Sequence, residues 1–322
     1  MGDKNDIFAV ARIRVREKYL LTDADISQMV SMKSAEDVTA FLLDKGWGDG
    51  EDQDPERMLA AEELKASGLM KELGIDREIF TILSYPDLYH NLKTAIKEVC
   101  TEKAHPEAFY RDTLITPEEM VRIVREKDFD ALPSHMKKAA AFAYEAMLVQ
   151  RDGQKCDVIV DRACLDAMEE VARNSKLELL RDYEESTVAV TNIRIAVRAA
   201  RTGKSRHFLE DALAPCRSLS VKKLAQAASE GTDALYGFLT EAGFGEAVEA
   251  LKVSGSAFER WCDNRLIASI RPQKRNSFTL GPVIAYYLAR KNEIKTVRII
   301  LTAKANGLPE EAVRERMREM YV

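Results

Sequence analysis

Residues 294–298 read Ile-Lys-Thr-Val-Arg, and the same pattern stands earlier as Val-Thr-Asn-Ile-Arg at 190–194 and Tyr-His-Asn-Leu-Lys at 89–93. Aligned on Leu92, Ile193 and Val297, the three copies lie 101 and 104 residues apart. Apolar side chains recur at Tyr89, Leu92 and Ile96, at Val190, Ile193 and Val197, and at Ile294, Val297 and Leu301. Each trio is spaced three then four residues, which places it on one face of a helix. A basic residue follows the middle apolar position every time: Lys93, Arg194 and Arg298. There its stem packs beside the stripe while its head reaches water or an acid, within or between units.

A second anchor agrees. Phe-Leu-Leu-Asp-Lys-Gly-Trp-Gly at 41–48 resembles Phe-Leu-Thr-Glu-Ala-Gly-Phe-Gly at 238–245, with Phe142 and Glu145 matching between them, at steps of 101 and 96 residues. The pairs Glu56-Arg57, Asp161-Arg162 and Glu259-Arg260 recur at steps of 105 and 98. Such short pairs are common by themselves, but three anchors at one period argue for a diverged threefold repeat. The intervening chain reads as helix. Thr116-Pro117 with Glu119 is a capping pattern, Asp54-Pro55 starts another helix similarly, and Gly307 can end one helix before Pro309 opens the next. Alternating valine and isoleucine runs between hairpin turns are absent. The expectation is an all-α fold of three helical-bundle units at about residues 1–115, 116–219 and 220–322. A circular offset, with the N-terminal helix packing near the last one, stays open.

With 322 residues, 46% of them hydrophobic, the chain suits two or three domains or one elongated array with a real core. Its net charge of -5 is a poor prior for nucleic-acid binding. The basic cluster Arg12, Arg14, Arg16 and Lys18 is blunted by Glu17, Asp23 and Asp25, and no aromatic platform accompanies it. A helix packed through Val10 and Ile13 with arginines along its rim is the simpler reading, and that rim can dock a protein. Five cysteines without paired metal spacing indicate reduced thiols in a cytoplasmic setting. The N-terminus lacks the apolar segment and cleavage site of a signal peptide. No apolar run approaches the roughly 20 residues of a membrane span; the best, Phe278 to Ala289, contains Gly281 and Pro282 and meets Arg290 and Lys291.

The sequence carries few chemical motifs. His90, His105, His135 and His207 are dispersed, so no clustered metal-ligand pattern exists. Cys156 and Cys164 share a helical face as small buried thiols would. No phosphate-binding glycine loop occurs, and Gly243 and Gly245 read as a turn between helices. No catalytic, cofactor-binding or metal residue is expected.

The closing run holds Gly281, Pro282, Tyr286, Glu293, Ile294, Lys295, Val297 and Arg298, then Gly307, Arg314, Arg318, Tyr321 and Val322. It resembles the C subunit of the V-type and A-type rotary ATPases, whose eukaryotic counterpart is the d subunit of the V-ATPase. Arg12, Arg14 and Leu20-Leu21 look like that family's opening helix, and Asn91, Lys93, Asn192, Arg194, Glu259 and Asp263 fit its internal motifs. The likeness runs from about residue 8 to the end. It implies three similar helical units in a funnel- or V-shaped body with pseudo-threefold symmetry. It also implies a non-catalytic rotor adaptor on the cytoplasmic face of the membrane. Its partners would be the central-stalk D and F subunits and the proteolipid c-type ring, in H+ or Na+ transport or ATP synthesis. Arg290-Lys291 stands where members often have lysine–glutamate, and Thr296 where asparagine is usual, which puts one polar contact of the third unit in question. Candidate interface or structural anchors are Arg12, Arg14, Arg16, Lys93, Arg194, Glu259, Asp263, Glu293 and Arg298. A free-standing helical-repeat scaffold and a helical enzyme assembled from distant residues are the alternatives.

Overall fold

The computed structural model describes residues 4–50, 54–75 and 77–322; the first three residues of the N-terminal stretch read above lie outside them. Among the described residues all regular structure is helical. A leading helix α1 (Lys4–Arg16) precedes α2 (Asp23–Ser31), α3 (Ala35–Asp44), α4 (Pro55–Glu72) and α5 (Arg77–Thr101). Next come α6 (Pro117–Glu126), α7 (Ser134–Leu148), α8 (Gly153–Asn174) and α9 (Glu178–Thr202). The last stretch holds α10 (Arg206–Ala212), α11 (Val221–Glu230), α12 (Thr232–Glu241), α13 (Gly245–Val253), α14 (Gly255–Ile270), α15 (Gly281–Ala305) and α16 (Glu310–Arg314).

The three quoted pentapeptides fall in α5, α9 and α15, and each of these helices is 25 residues long. All nine side chains of the apolar trios are buried. Helix starts follow local chemistry. Thr116 caps α6 by accepting the Glu119 N–H at 3.3 Å, and Asp54 caps α4 by accepting the Glu56 N–H at 2.9 Å. Two of the three stretches of the second anchor form a corner: α3 and α12 each end before a glycine in the left-handed region, Gly46 (φ 81°) and Gly243 (φ 88°), followed by buried Trp47 and Phe244. Only glycine takes that backbone without strain, and the turn lets the next aromatic fold inward. The middle stretch does not form one, since Phe142 and Glu145 lie within α7 and Phe142 is exposed.

The chain divides into two compact units, residues 76–242 and residues 1–75 with 243–322. In the first, α5 packs on α6, α7 and α8, while α9 packs on α8, α10, α11 and α12. In the second, α15 packs on α2, α3 and α4, with α1, α14 and α16 also against it. Its core joins Ile26, Met29, Leu42, Met58 and Leu59 to Ile294, Val297 and Ile300. Near the end of α15, Lys304 donates to the Val30 carbonyl at 2.6 Å and the Met32 carbonyl at 2.5 Å, stopping α2. The long C-terminal helix is thus completed by the first helices of the chain.

Candidate functional site

The polar residues singled out by the sequence sit on the long helices or against them; of the nine candidates Glu293 is buried, Arg16 and Arg194 are exposed, and the other six are half-buried. In α5, buried Asn91 donates to the Tyr110 carbonyl at 2.8 Å and accepts the Tyr110 N–H at 2.9 Å. In α9, Asn192 does the same to Ala214, at 2.9 and 3.0 Å. One side-chain amide therefore satisfies both backbone groups of a residue in the chain that follows the helix. At the matching place in α15, the Thr296 hydroxyl only donates to the Asn292 carbonyl, at 2.8 Å. Asn292, one turn earlier, donates instead to the Glu319 carbonyl at 3.1 Å. The two bonds are split here, since Asn264 on α14 accepts the Glu319 N–H at 2.9 Å.

The basic residues beside the stripes also find acids. Lys93 donates to Asp161 at 2.7 Å, joining α5 to α8. Arg298 pairs with Glu63 at 3.3 Å and Glu56 at 3.8 Å, joining α15 to α4. Asp161 and Glu56 are both acids of the recurring acid–base pairs. Arg194 is exposed on α9 and Glu259 half-buried on α14, and both are engaged rather than free.

The second departure, Arg290, builds a buried charge cluster. Its guanidinium bonds both Glu62 on α4 and Glu293 one turn along α15, with the Trp47 ring centroid 4.7 Å from its carbon. Glu62 also accepts the Gly48 N–H at 2.9 Å and Lys65 at 2.7 Å, and Glu293 accepts the Leu21 N–H at 2.5 Å. Every oxygen of the two carboxylates is thereby occupied, which a buried ion cluster requires. Burial pushes the Glu293 carboxyl up to about 7, although Arg290 and the Leu21 N–H pull it down. Burial works against the Arg290 charge as well, but Glu293 and Glu62 outweigh it and hold the guanidinium above its ordinary value. Sequence reasoning found Glu293 and missed Glu62, which lies 228 residues from Arg290.

Asp263 on α14 accepts Lys295 at 2.7 Å and Arg318 at 2.9 Å, holding the C-terminal tail. Arg14 pairs with Glu17 at 2.7 Å and donates to the carbonyls of Gln273 and Asn276 at 2.7 and 2.6 Å. Arg12 reaches Glu72 at 2.6 Å, and Arg16 is exposed.

The geometry for chemistry is thin. Among the described residues no group of three or more His, Cys, Asp and Glu is placed to hold a metal ion. Burial pushes the Cys156 thiol up to about 12, far from a nucleophile's range. An open groove of about 820 Å³ runs between α7, α8 and α10 over Phe142, Val158, Ile159 and Phe208. Its His135 has Nδ1 2.8 Å from the Tyr89 hydroxyl, and burial lowers its pKa. No helix among the described residues is long and apolar enough to cross a membrane.

The profile of a protein family described as ATP synthase (C/AC39) subunit matches residues 9–316. The C subunit of the V-type sodium ATPase from Enterococcus hirae is 22% identical over 321 residues, covering 96% of this chain and 97% of that relative. Buried anchors such as Asn91, Asn192 and Glu293 and interhelical pairs such as Lys93–Asp161 run through a chain similar to a whole known subunit.

Proposed function

This chain belongs to the ATP synthase (C/AC39) subunit family, and from that premise we propose that it is the non-catalytic rotor adaptor of a V-type or A-type ATPase. In this reading it sits on the cytoplasmic face of the membrane, between the central-stalk D and F subunits and the ring of proteolipid c-type subunits. Hydrolysis elsewhere turns the stalk, and the adaptor hands the torque to the ring that moves H+ or Na+; synthesis reverses the path. The relative from Enterococcus hirae is a sodium ATPase subunit by name. Here the coupled ion is set by the ring, not by this chain.

What carries the reading is a family match spanning residues 9–316. The build of the chain suits it. Torque transfer needs stiffness, and close-packed cores transmit strain. Three 25-residue helices with buried stripes supply it. Clamped exits at Asn91 and Asn192 add to it. We also propose residues 1–115, 116–219 and 220–322 as three diverged copies of one block, each containing one such helix. The test is a titration of the full chain against a purified D–F stalk complex. Saturable one-to-one binding without nucleotide is the expected result. Absence of binding by folded chain to active partners, with the ring both absent and present, rejects the adaptor.

A further inference from the structure

The helix α1 has two faces. The inner one buries Ala9, Val10 and Ile13. The outer one exposes Phe8 (64%) and Val15 (57%), and the turn after it exposes Tyr19 (69%). The seven-residue spacing puts Phe8 and Val15 on one side of the helix, and Tyr19 closes the 3-10 turn that follows it. Charge is segregated across the same stretch. The acids Asp6 and Glu17 are half-buried, and Glu17 is held by Arg14, whereas Arg16 and Lys18 are exposed. Glu72, the acid that reaches this helix from α4, is taken by Arg12.

Arg14 joins a second basic element to the first. Its bonds to the Gln273 and Asn276 carbonyls fix the segment 271–278 against α1. That segment exposes Lys274, Arg275 and Phe278, the last at 78%. Residues 264–289 contain no Asp or Glu and four basic residues, Arg265, Arg271, Lys274 and Arg275, in a chain whose net charge is -5. Asp25 is taken by Lys45, and exposed Asp23 accepts the Met320 N–H. Exposed aromatic rings among cations that outnumber the exposed acids complement a plane of negative charge better than the mixed charges of a protein surface.

We propose that the outer face of α1 together with the 271–278 segment is a docking surface for an anionic lipid membrane. Phe8, Tyr19 and Phe278 enter the headgroup boundary while Arg16, Lys18, Lys274 and Arg275 face lipid phosphates. This goes beyond the adaptor reading and does not depend on it, because the test includes no other subunit. Full-length chain is floated with phosphatidylcholine vesicles, with and without phosphatidylglycerol. Binding is expected only with phosphatidylglycerol and is released by raised salt. Joint reversal of Arg16, Lys18, Lys274 and Arg275 to glutamate lowers partitioning by about tenfold or more. Phe8→Trp and Phe278→Trp leave the charge intact and gain fluorescence that brominated lipid tails quench beyond the parent's. Equal binding to both vesicle types overturns the proposal. So does full binding by a charge-reversed variant with the parent's helicity and melting. Absence of extra quenching overturns it too, and if α1 then cross-links to a neighbouring protein in the assembled complex, the surface belongs to that protein.

Discussion

At Asn192 one side chain holds two backbone groups, so its removal strands both. In Asn192→Ala, the N–H and C=O of Ala214 remain in a buried place without partners. An unsatisfied buried group costs about 1–3 kcal/mol, so a loss near 3 kcal/mol is expected in urea unfolding. A loss below about 1 kcal/mol would mean that water or a shifted loop satisfies Ala214 just as well. Glu184 makes the opposite case, a buried acid that the fold does not favour charged. Burial first, then Glu185 and Glu169, push its carboxyl up to about 7. The folded chain therefore binds this proton more tightly than the unfolded one. The associated stability is complete below about 4.5 and is lost as pH rises through about 7. Glu184→Gln mimics the protonated form. It is expected to match the parent near pH 4.5 and to exceed it at pH 8 by up to about 3 kcal/mol. Identical pH profiles for the two proteins would rule out Glu184 as the source. Asn192 was marked in the sequence because, like Asn91, it fits an internal motif of the family the chain resembles. Glu184 was not, since its burial is set by packing in three dimensions and carries no periodic mark.

Between elements, the strongest polar tie is the cluster that fastens α15 to α4. Arg290 is the shared cation of Glu62 and Glu293, and neither acid can reach solvent easily. Arg290→Met leaves two buried carboxylates with only Lys65 and backbone N–H groups as partners. Removing one member of a buried pair costs about 3–5 kcal/mol, which is the expected loss at pH 8. The loss shrinks toward pH 5, because Glu293, already raised to about 7, takes up a proton and no longer needs a cation. Thermal melts across that range check both the size and the direction; a pH-independent deficit would argue for lost packing on Trp47 instead. Helix identity was readable here. Nine apolar positions at three-four spacing all proved buried, and Thr116 and Asp54 cap the helices they were expected to start. Pro309 sits at the cap position of α16, one residue before its first turn. The partner of Arg290 was not readable, because only tertiary packing brings 62 and 290 together.

On the scale of the whole molecule, the two ends of the chain share one core. Leu21, Ile26, Met29 and Leu42 pack with Ile294, Val297 and Val313 in the unit formed by residues 1–75 and 243–322. Tail contacts add to this, with the Met320 N–H donated to Asp23 at 2.9 Å. Sequence periodicity suggested a repeat but could not say which helices pack together, since a linear pattern does not tell which distant elements meet. The packing answers in part: α15 rests on α2, α3 and α4, as α5 rests on α6, α7 and α8. A physical consequence follows for fragments. Residues 76–242 carry their own long helices α5 and α9 with the helices packed on them. Produced alone, this fragment is expected to be helical by circular dichroism and to unfold cooperatively. Residues 1–75 lack α15, whose stripe fills their core, so alone they should show little fixed structure and low amide protection. Mixing them with residues 243–322 should restore helicity and protection at Leu42 and Ile294 together, because the apolar surface of each is covered only by the other. A cooperative, protected 1–75 fragment would show that the first helices hold their core without α15. An unfolded 76–242 fragment would show that this half needs the remainder of the chain.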